Sequence, residues 1–363
     1  MFIIHRIVFL LNGIVMLLLL ASYLAPYVSP QVFWPVAFLG LAYPVLLLAN
    51  IIFIFYWLIF FKLKFVFSLA VIVIGFKYVP YFIQLNSKKT TDYSNSIRLM
   101  SFNVKNMGAF GGKKIEESDK FFEVLQKIDP DVLCFQEFRN EGTTIDGPTY
   151  KKLFKTLKTF YHYNTYFDTK GFYRGHEVVV FSRFPIIDSG EVEHESGISN
   201  FTIFTDIVAH GDTVRIINTH LKSIHFEAPD YNAVKNIEID NDSSVVKYSN
   251  ITHKLKTAFI ERAKQAELVR DFIDNSPYKI ILCGDFNDSP TSYAFRTVKG
   301  NMKDAFVEAG SGLGRTYVGQ MPSFRIDQMM FDPAYKGYNY YAKAFDFSDH
   351  KMVSATIKLR TDN

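Results

Sequence analysis

The chain has 363 residues, 48% of them hydrophobic and 21% charged, with a formal net charge of +4. That average hides a break in character: the first 89 residues hold no Asp or Glu and only Arg6, Lys62, Lys64, Lys77, Lys88 and Lys89, so the rest carries all 36 acids and is left slightly acidic. A balance of this kind excludes a strongly basic domain that captures nucleic acid by charge alone.

In chain order, the first features are three apolar stretches, at about Ile7–Tyr27, Pro35–Phe61 and Phe65–Ile83. Each is near the roughly 20 residues that a helix needs to cross a bilayer. Tyr23, Tyr27, Trp34, Trp57, Tyr78 and Tyr81 stand near their ends, where the headgroup region favours aromatic rings. A cleaved signal peptide would account for the first stretch alone, and no soluble core requires about 80 residues without an acid. The expectation is therefore an integral, multi-pass membrane protein, with three transmembrane helices in residues 1–85 and the lipid bilayer as a partner. Arg6 and the Lys62/Lys64 loop fall on one side, favouring an inside N-terminus and an extracytoplasmic large domain after three crossings. Lys77, Lys88 and Lys89 pull the other way. Residues 86–96 are short and polar and read as a linker.

From Ile97 short apolar runs alternate with amphipathic stretches. Strands are predicted at Arg98–Val104, Val132–Gln136, Glu177–Ser182, Phe201–Val208, Thr213–Thr219, Lys279–Cys283, Asp327–Phe331 and Met352–Leu359. Helices are predicted at Glu116–Ile128, Tyr150–Thr159 and Thr252–Asn275, the last from the recurrence of Leu255, Phe259, Ala263, Ala266 and Leu268. The mixed stretch 225–250 reads as a surface loop or insertion. Cys134 and Cys283 sit in buried-strand patterns and read as core residues, not as a disulfide or metal pair. Strands interleaved with helices over 97–361 imply a layered or sandwiched α/β domain, not a simple parallel Rossmann sheet.

Polar residues suited to metal or phosphate chemistry recur at the strand ends. Asn103, Glu137, His220, Asp285 and Asn287 follow apolar runs, with Gly284 giving a tight turn; Asp327 opens a strand and Asp349–His350 precede the last. Singly, an Asn or Asp at a strand end is a turn former or helix cap, and a lone His is a satisfied core or surface residue. As a set they match what phosphoester chemistry on a hard cation requires: oxygen ligands from several strands, with histidines and an amide to meet charge on phosphoryl oxygens. No Cys/His spacing suits structural zinc.

The ordered motifs Ser101-Phe-Asn-Val, Pro130-Asp-Val-Leu-Cys-Phe-Gln-Glu137, Phe181-Ser-Arg-Phe-Pro-Ile186, Asn218-Thr-His-Leu221, Gly284-Asp-Phe-Asn287, Arg325-Ile-Asp327 and Ser348-Asp-His350 resemble the endonuclease/exonuclease/phosphatase superfamily, in the form of a membrane-anchored bacterial-type member. That group includes pancreatic-type deoxyribonuclease, abasic-site endonucleases, inositol polyphosphate 5-phosphatases and neutral sphingomyelinases. The resemblance covers about residues 97–360. It implies a four-layered α/β/β/α sandwich and hydrolysis of a phosphoester substrate with Mg²⁺ or Mn²⁺. It also implies roles. Glu137 would be the main metal ligand, with Asn103 and Asp349 completing the metal's surroundings. Asp285 would orient and deprotonate the attacking water, and Asn287 would hold the phosphate or the aspartate. His350, polarised by Asp327, would stabilise the pentavalent phosphate, and His220 would contact the phosphate and help the leaving group depart.

There are departures from the pattern. Lys105 stands where many nucleases of the group carry an acid, which weakens the case for a second metal and for abasic-site repair. Glu177 stands where a small residue is common. Arg183 reads as structural, and Arg262 and Gln265 fit either family spacing or a solvated helix face. Gly310–Tyr317 reads as a flexible loop beside the site in preference to a phosphate cradle, since it lacks the ending of a nucleotide-binding loop. The sequons at Asn200 and Asn241 are short enough to arise by chance. A membrane tether concentrates a lipid substrate, so the reading leans to a lipid-like or small phosphoester. An extracytoplasmic nuclease is the alternative, its nucleic-acid substrate not favoured by charge. A catalytically inactive binding module is a third reading, against which stands the completeness of the residue set.

Overall fold

The computed structural model of the protein describes residues 2–86, 91, 93–105, 115–138, 148–158, 161–166, 177–192, 201–224, 226–227, 229–231, 242–319 and 324–359. The asparagines of both sequons, much of the expected linker and residues 232–241 of the expected insertion lie outside these. The chain forms two compact units. One comprises residues 1–82, 224–266 and 288–298; the other comprises 83–223, 267–287 and 299–363.

The first unit opens with α1 (Phe2–Ser22), α2 (Pro30–Phe33), α3 (Pro35–Ile59) and α4 (Phe65–Ile74). Helices α1 and α3 have 21 and 25 residues and a mean hydropathy of 2.3, the length and composition of a membrane anchor or, near an N-terminus, of a signal sequence. The third predicted span is corrected. Helix α4 has 10 residues and stops at Gly75, whose Cα packs so tightly on the Tyr23 ring that an added Cβ would lie 2.0 Å from it. The chain then tightens into a 3₁₀ turn, Phe76–Tyr81, with Pro80 inside it. At 1.5 Å per residue α4 reaches about 15 Å, half of a hydrocarbon core. Among the described residues two helices, not three, are thus long enough to cross, and the odd number of crossings behind the extracytoplasmic expectation no longer holds.

Polar side chains join these helices, α1 running antiparallel to α3 and in the same direction as α4. His5 Nδ1 lies 3.0 Å from Tyr56 Oη. Midway along, Asn12 donates to Ser68 Oγ at 2.7 Å and accepts from Trp57 Nε1 at 2.9 Å. Tyr23 Oη donates to the Val71 carbonyl at 3.0 Å. Contacts of this kind hold helices together where apolar packing has no direction.

The same unit takes in the start of α7 (Asp242–Asp274) and α8 (Tyr293–Lys299). The expected loop therefore ends by Asp242, not Asn250. Phe38 meets Phe259 edge-on at 5.1 Å, Tyr81 meets Phe295 at 5.2 Å, and Thr291 Oγ1 donates to the Gly40 carbonyl at 2.8 Å. Along α7, Phe259, Ala263, Ala266 and Val269 are buried, but Leu268 is 41% exposed, so Val269 takes the place expected for it. Arg262 and Gln265 are also buried, which overturns the solvated-face reading; Arg262 Nε lies 3.2 Å from Asp288 Oδ2.

The second unit holds two six-stranded sheets. The first has the order β13-β14-β2-β3-β5-β4, from β2 (Ser96–Asn103), β3 (Val132–Phe138), β4 (Tyr161–Tyr166), β5 (Glu177–Ser182), β13 (Lys336–Ala344) and β14 (Lys351–Lys358). The second has the order β10-β12-β9-β8-β7-β6, from β6 (Ile186–Glu191), β7 (Thr202–Ala209), β8 (Asp212–His220), β9 (Lys279–Asp285), β10 (Lys303–Asp304) and β12 (Asp327–Phe331). Each sheet has one parallel pair near its middle, β2–β3 and β8–β9, and its other pairings are antiparallel. A short pair, β1 (Ile83–Gln84) with β11 (Gly312–Leu313), stands apart.

Leu99, Val132 and Val180 of the first sheet and Ile203, Ile216 and Ile281 of the second share one core, which also holds Cys134 and Cys283 as free buried thiols, as expected. On the first sheet's other face Phe102 and Phe135 pack with Phe121 of α5 (Ile115–Ile128) and Leu153 of α6 (Pro148–Leu157). The unpredicted strands β4, β6, β10 and β13 are all sheet edges. An edge strand buries fewer side chains and so shows little apolar periodicity.

Candidate active site

Sheet register brings the chemistry together. Parallel strands end on the same side, so Asn103 and Glu137 close one parallel pair while His220 and Asp285, paired in register, close the other. The antiparallel neighbours begin where these end: Asp327 lies opposite Asp285, and His350 immediately precedes β14. All lie within the second unit.

Asn103 Nδ2 donates to both Glu137 Oε1 at 3.1 Å and Asp285 Oδ2 at 3.0 Å. His220 Nε2 stands 3.7 Å from Asp285 Oδ2 and 3.8 Å from Glu137 Oε1. It is buried and, among the described residues, has no hydrogen-bond partner. His350 Nε2 is also 3.7 Å from Asp285 Oδ2, and its Nδ1 is 3.0 Å from Asp327 Oδ1. The backbone N–H of Asn287 donates to Asp285 Oδ1 at 2.8 Å, while its side-chain amide donates to the Leu221 carbonyl at 3.0 Å.

Six of the eight expected site residues, Asn103, Glu137, His220, Asp285, Asp327 and His350, are thus drawn into one cluster through their side chains. Asn287 joins through its backbone. Asp349 takes another contact: its Oδ2 is 2.7 Å from Lys105 Nζ. Lys105, Glu137 and Asn287 all have left-handed backbones, with φ of 41°, 50° and 51°. Such conformations cost about 1–3 kcal/mol each for a non-glycine residue and persist where surrounding structure imposes them.

The charges are unusual. Burial, the largest influence, pushes the Asp285 carboxyl above its ordinary range; His350 and His220 oppose this and Asp327 adds to it. For His350 burial works against the charged ring, but the carboxylates of Asp327 and Asp285 outweigh it and push its pKa up to about 10.

Several supporting residues lie within motifs legible in the sequence, but their contacts were not. Ser348 Oγ donates to the Asn103 carbonyl at 2.7 Å and accepts from the His350 N–H at 3.1 Å. Thr316 Oγ1 accepts from the Ile326 and Asp327 N–H groups, each at 3.0 Å, so the end of Gly310–Tyr317 props Asp327 while Gly312–Leu313 forms β11. Beneath the cluster, Gln136 Nε2 donates to Asn218 Oδ1 at 2.6 Å, and Asn218 Nδ2 donates to the carbonyls of Phe135 and Val179, both at 3.0 Å. Arg183, read as structural, binds the Leu157 carbonyl at 2.8 Å and the side chain of Asp129.

A divalent cation fits this donor set. Half-buried Glu137 and buried Asp285 and Asp327 bring carboxylate oxygens together, the donor type that hard cations take. One ligand atom from each of Asp285, Asp327 and His350 falls within 4.8 Å of the others, and the Asn103-bridged carboxylates of Glu137 and Asp285 offer a second grouping.

The chain resembles known proteins in family and in fold. A family model described as the Endonuclease/Exonuclease/phosphatase family matches residues 100–350, and one for a domain of unknown function matches residues 5–82. No curated protein sequence matches the chain. Among solved structures, D. rerio TDP2 humanized by 14 mutations aligns at a TM-score of 0.51 and 16% identity, covering 73% of this chain and 99% of that one. D. rerio TDP2 complexed with a single-strand DNA product gives 0.50 and 15%, covering 73% and 99%. The human Nocturnin catalytic domain with bound sulfate gives 0.49 and 17%, covering 74% and 97%. At such identities the likeness to the two TDP2 structures speaks for the α/β fold with mixed sheets, and the family match spans every residue of the cluster. The chain belongs to the endonuclease/exonuclease/phosphatase family.

Proposed function

We propose that the protein is a membrane-anchored, Mg²⁺- or Mn²⁺-dependent hydrolase of phosphoester bonds, with its domain at residues 97–361 folded as a four-layered α/β/β/α sandwich. Enzymes of this family depend on a divalent metal and act on phosphoester substrates, nucleic acids among them. The observation that supports the reading is the cluster around Asp285, where two imidazoles and the side-chain amide of Asn103 converge on one buried carboxylate oxygen.

In this reading Glu137 and Asn103 hold the cation, with Asp349 at the edge of its surroundings. When bound, the cation offsets negative charge on the phosphoryl oxygens. Asp285 takes the proton of the attacking water: its Oδ1 is fixed by the Asn287 N–H, and burial gives it the basicity the step needs. His350, kept charged by Asp327, donates to the non-bridging oxygens as charge builds there. His220 presents Nε2 to the phosphate on the side of the leaving group.

The anchor, helices α1 and α3, favours a lipid-like or small phosphoester, because both enzyme and lipid substrate are then confined to one surface. The slightly acidic soluble part counts against a nuclease. The test is turnover by the full chain in detergent, with Mg²⁺, Mn²⁺ or EDTA, on bis-p-nitrophenyl phosphate, plasmid DNA and a phospholipid panel. We expect turnover that EDTA abolishes and that falls at least about a hundredfold in Glu137→Ala and in His350→Ala. Undiminished turnover in those variants, or none on any substrate by a folded chain, would sink the proposal, the second result favouring an inactive binding module.

A further inference from the structure

At one end of the N-terminal helices three cations meet aromatic rings. Tyr27, between α1 and α2, has Arg296 Cζ at 4.3 Å and Lys77 Nζ at 5.1 Å from its ring centre. Lys77 Nζ also donates to Tyr27 Oη at 2.7 Å and lies 5.1 Å from the Tyr78 ring. Lys256, on α7, stands 5.3 Å from the Trp34 ring. All of these residues belong to the first unit. Among the described residues none of the three cations has an ion-pair partner. The acids near them in sequence are engaged elsewhere: Asp230 with Lys254 at 2.7 Å, Glu261 with Lys264 at 3.3 Å, and Asp288 with Arg262 at 3.2 Å.

Two positive side chains on one tyrosine ring repel each other, and an anion between them would relieve this. Beside them Leu24, Val32 and Phe33 are exposed, Val32 by 84%. Exposed apolar side chains next to cations stacked on Tyr and Trp suit the boundary between acyl chains and headgroups. The depth also fits, because Tyr27 follows the end of α1 and Trp34 precedes the start of α3, the two helices long enough to cross.

We infer that this cation–aromatic cluster binds the phosphate of an anionic phospholipid headgroup, so that segments 224–266 and 288–298 are fastened to lipid through Lys256 and Arg296. A zwitterionic headgroup brings a cation of its own into the same place and is the poorer ligand. The inference rests on the proposed membrane anchoring.

The full chain, purified in detergent, would be titrated with phosphatidylglycerol or phosphatidylcholine and the retained lipid counted by native mass spectrometry. Phosphatidylglycerol should be retained at least about tenfold more readily, as expected for several cations near a headgroup. A Lys77→Gln, Lys256→Gln, Arg296→Gln variant should lose that preference. The charge-keeping Lys77→Arg, Lys256→Arg variant, and Lys64→Gln at the other end of the helices, should keep it. Equal retention of the two lipids, an undiminished preference in the triple variant, or full displacement by millimolar inorganic phosphate would overturn the inference. Flotation on phosphatidylcholine vesicles after an alkaline wash separates the two readings. A chain that washes off refutes anchoring and inference together, whereas one that floats without lipid preference refutes the inference alone.

Discussion

Asp285 is approached by Asn103, His220, His350 and the Asn287 N–H, and the position just before it tolerates nothing larger than hydrogen. Gly284 has φ +143°, and a Cβ there would lie 1.9 Å from the Thr219 carbonyl oxygen. Gly284→Ala should therefore destabilise the chain by roughly 3 kcal/mol or more and displace His220 and Asp285 together, read as a fall in Tm with loss of turnover. Asp327→Asn tests the charge balance. In the folded chain His350 has a raised pKa, so its share of stability is fully present below about pH 6.5, the ordinary histidine value, and is lost as pH rises through about 10. Without the Asp327 carboxylate that alkaline loss should disappear and the alkaline limb of the pH–rate profile should move to lower pH. An unshifted limb would show that Asp327 does not set the charge of His350.

Between elements, the two sheets are pinned by a polar clamp as well as by apolar packing. Asn218, from β8, satisfies carbonyls on β3 and β5, and Gln136 of β3 reaches back to it. Asn218→Ala would leave Phe135 and Val179 with unpaired buried carbonyls, at a cost of about 2–4 kcal/mol in urea unfolding. A surface cluster behaves differently. Arg98 binds Asp131 and Asp129, and Arg183 binds Asp129. The hydrogen bond from Arg183 is the largest influence holding the Asp129 carboxyl below its ordinary range. Its contribution is present above about pH 4, the ordinary value, and is lost as pH falls through the depressed folded value. The Asp129 side chain is 47% exposed, so solvent screening keeps Asp129→Asn to about 0.5 kcal/mol, measurable as a small Tm difference at pH 7 that vanishes in strong acid.

For the whole molecule, the division into units does not follow the chain. Residues 224–266 and 288–298, both inside the family match, fold with the N-terminal helices, where Phe259 and Phe295 pack against Phe38 and Tyr81. A chain lacking residues 1–82 would expose these rings. It should show a lower Tm and a tendency to aggregate without detergent, by light scattering; a monomeric truncated chain of unchanged Tm would contradict this.

The sequence by itself determined the family and most of the central strands. Asn103, Glu137, His220, Asp285, Asp327 and His350 follow or precede apolar runs, and such runs announce buried strands because burial on both faces leaves no polar position. The apolar α1 and α3 were legible for a similar reason, since their length and lack of charge are local properties. The tertiary structure alone decided the rest. Edge strands β4, β6 and β13 carry little periodicity because one side meets solvent. Helix α4 ended where Gly75 met Tyr23, a contact across about fifty residues. Arg262 and Gln265, polar and at helical spacing, are buried, and Arg262 there meets Asp288 from a distant part of the chain. The pairing of Lys105 with Asp349 likewise depends on two strand ends separated by more than two hundred residues, a distance over which no local pattern carries information.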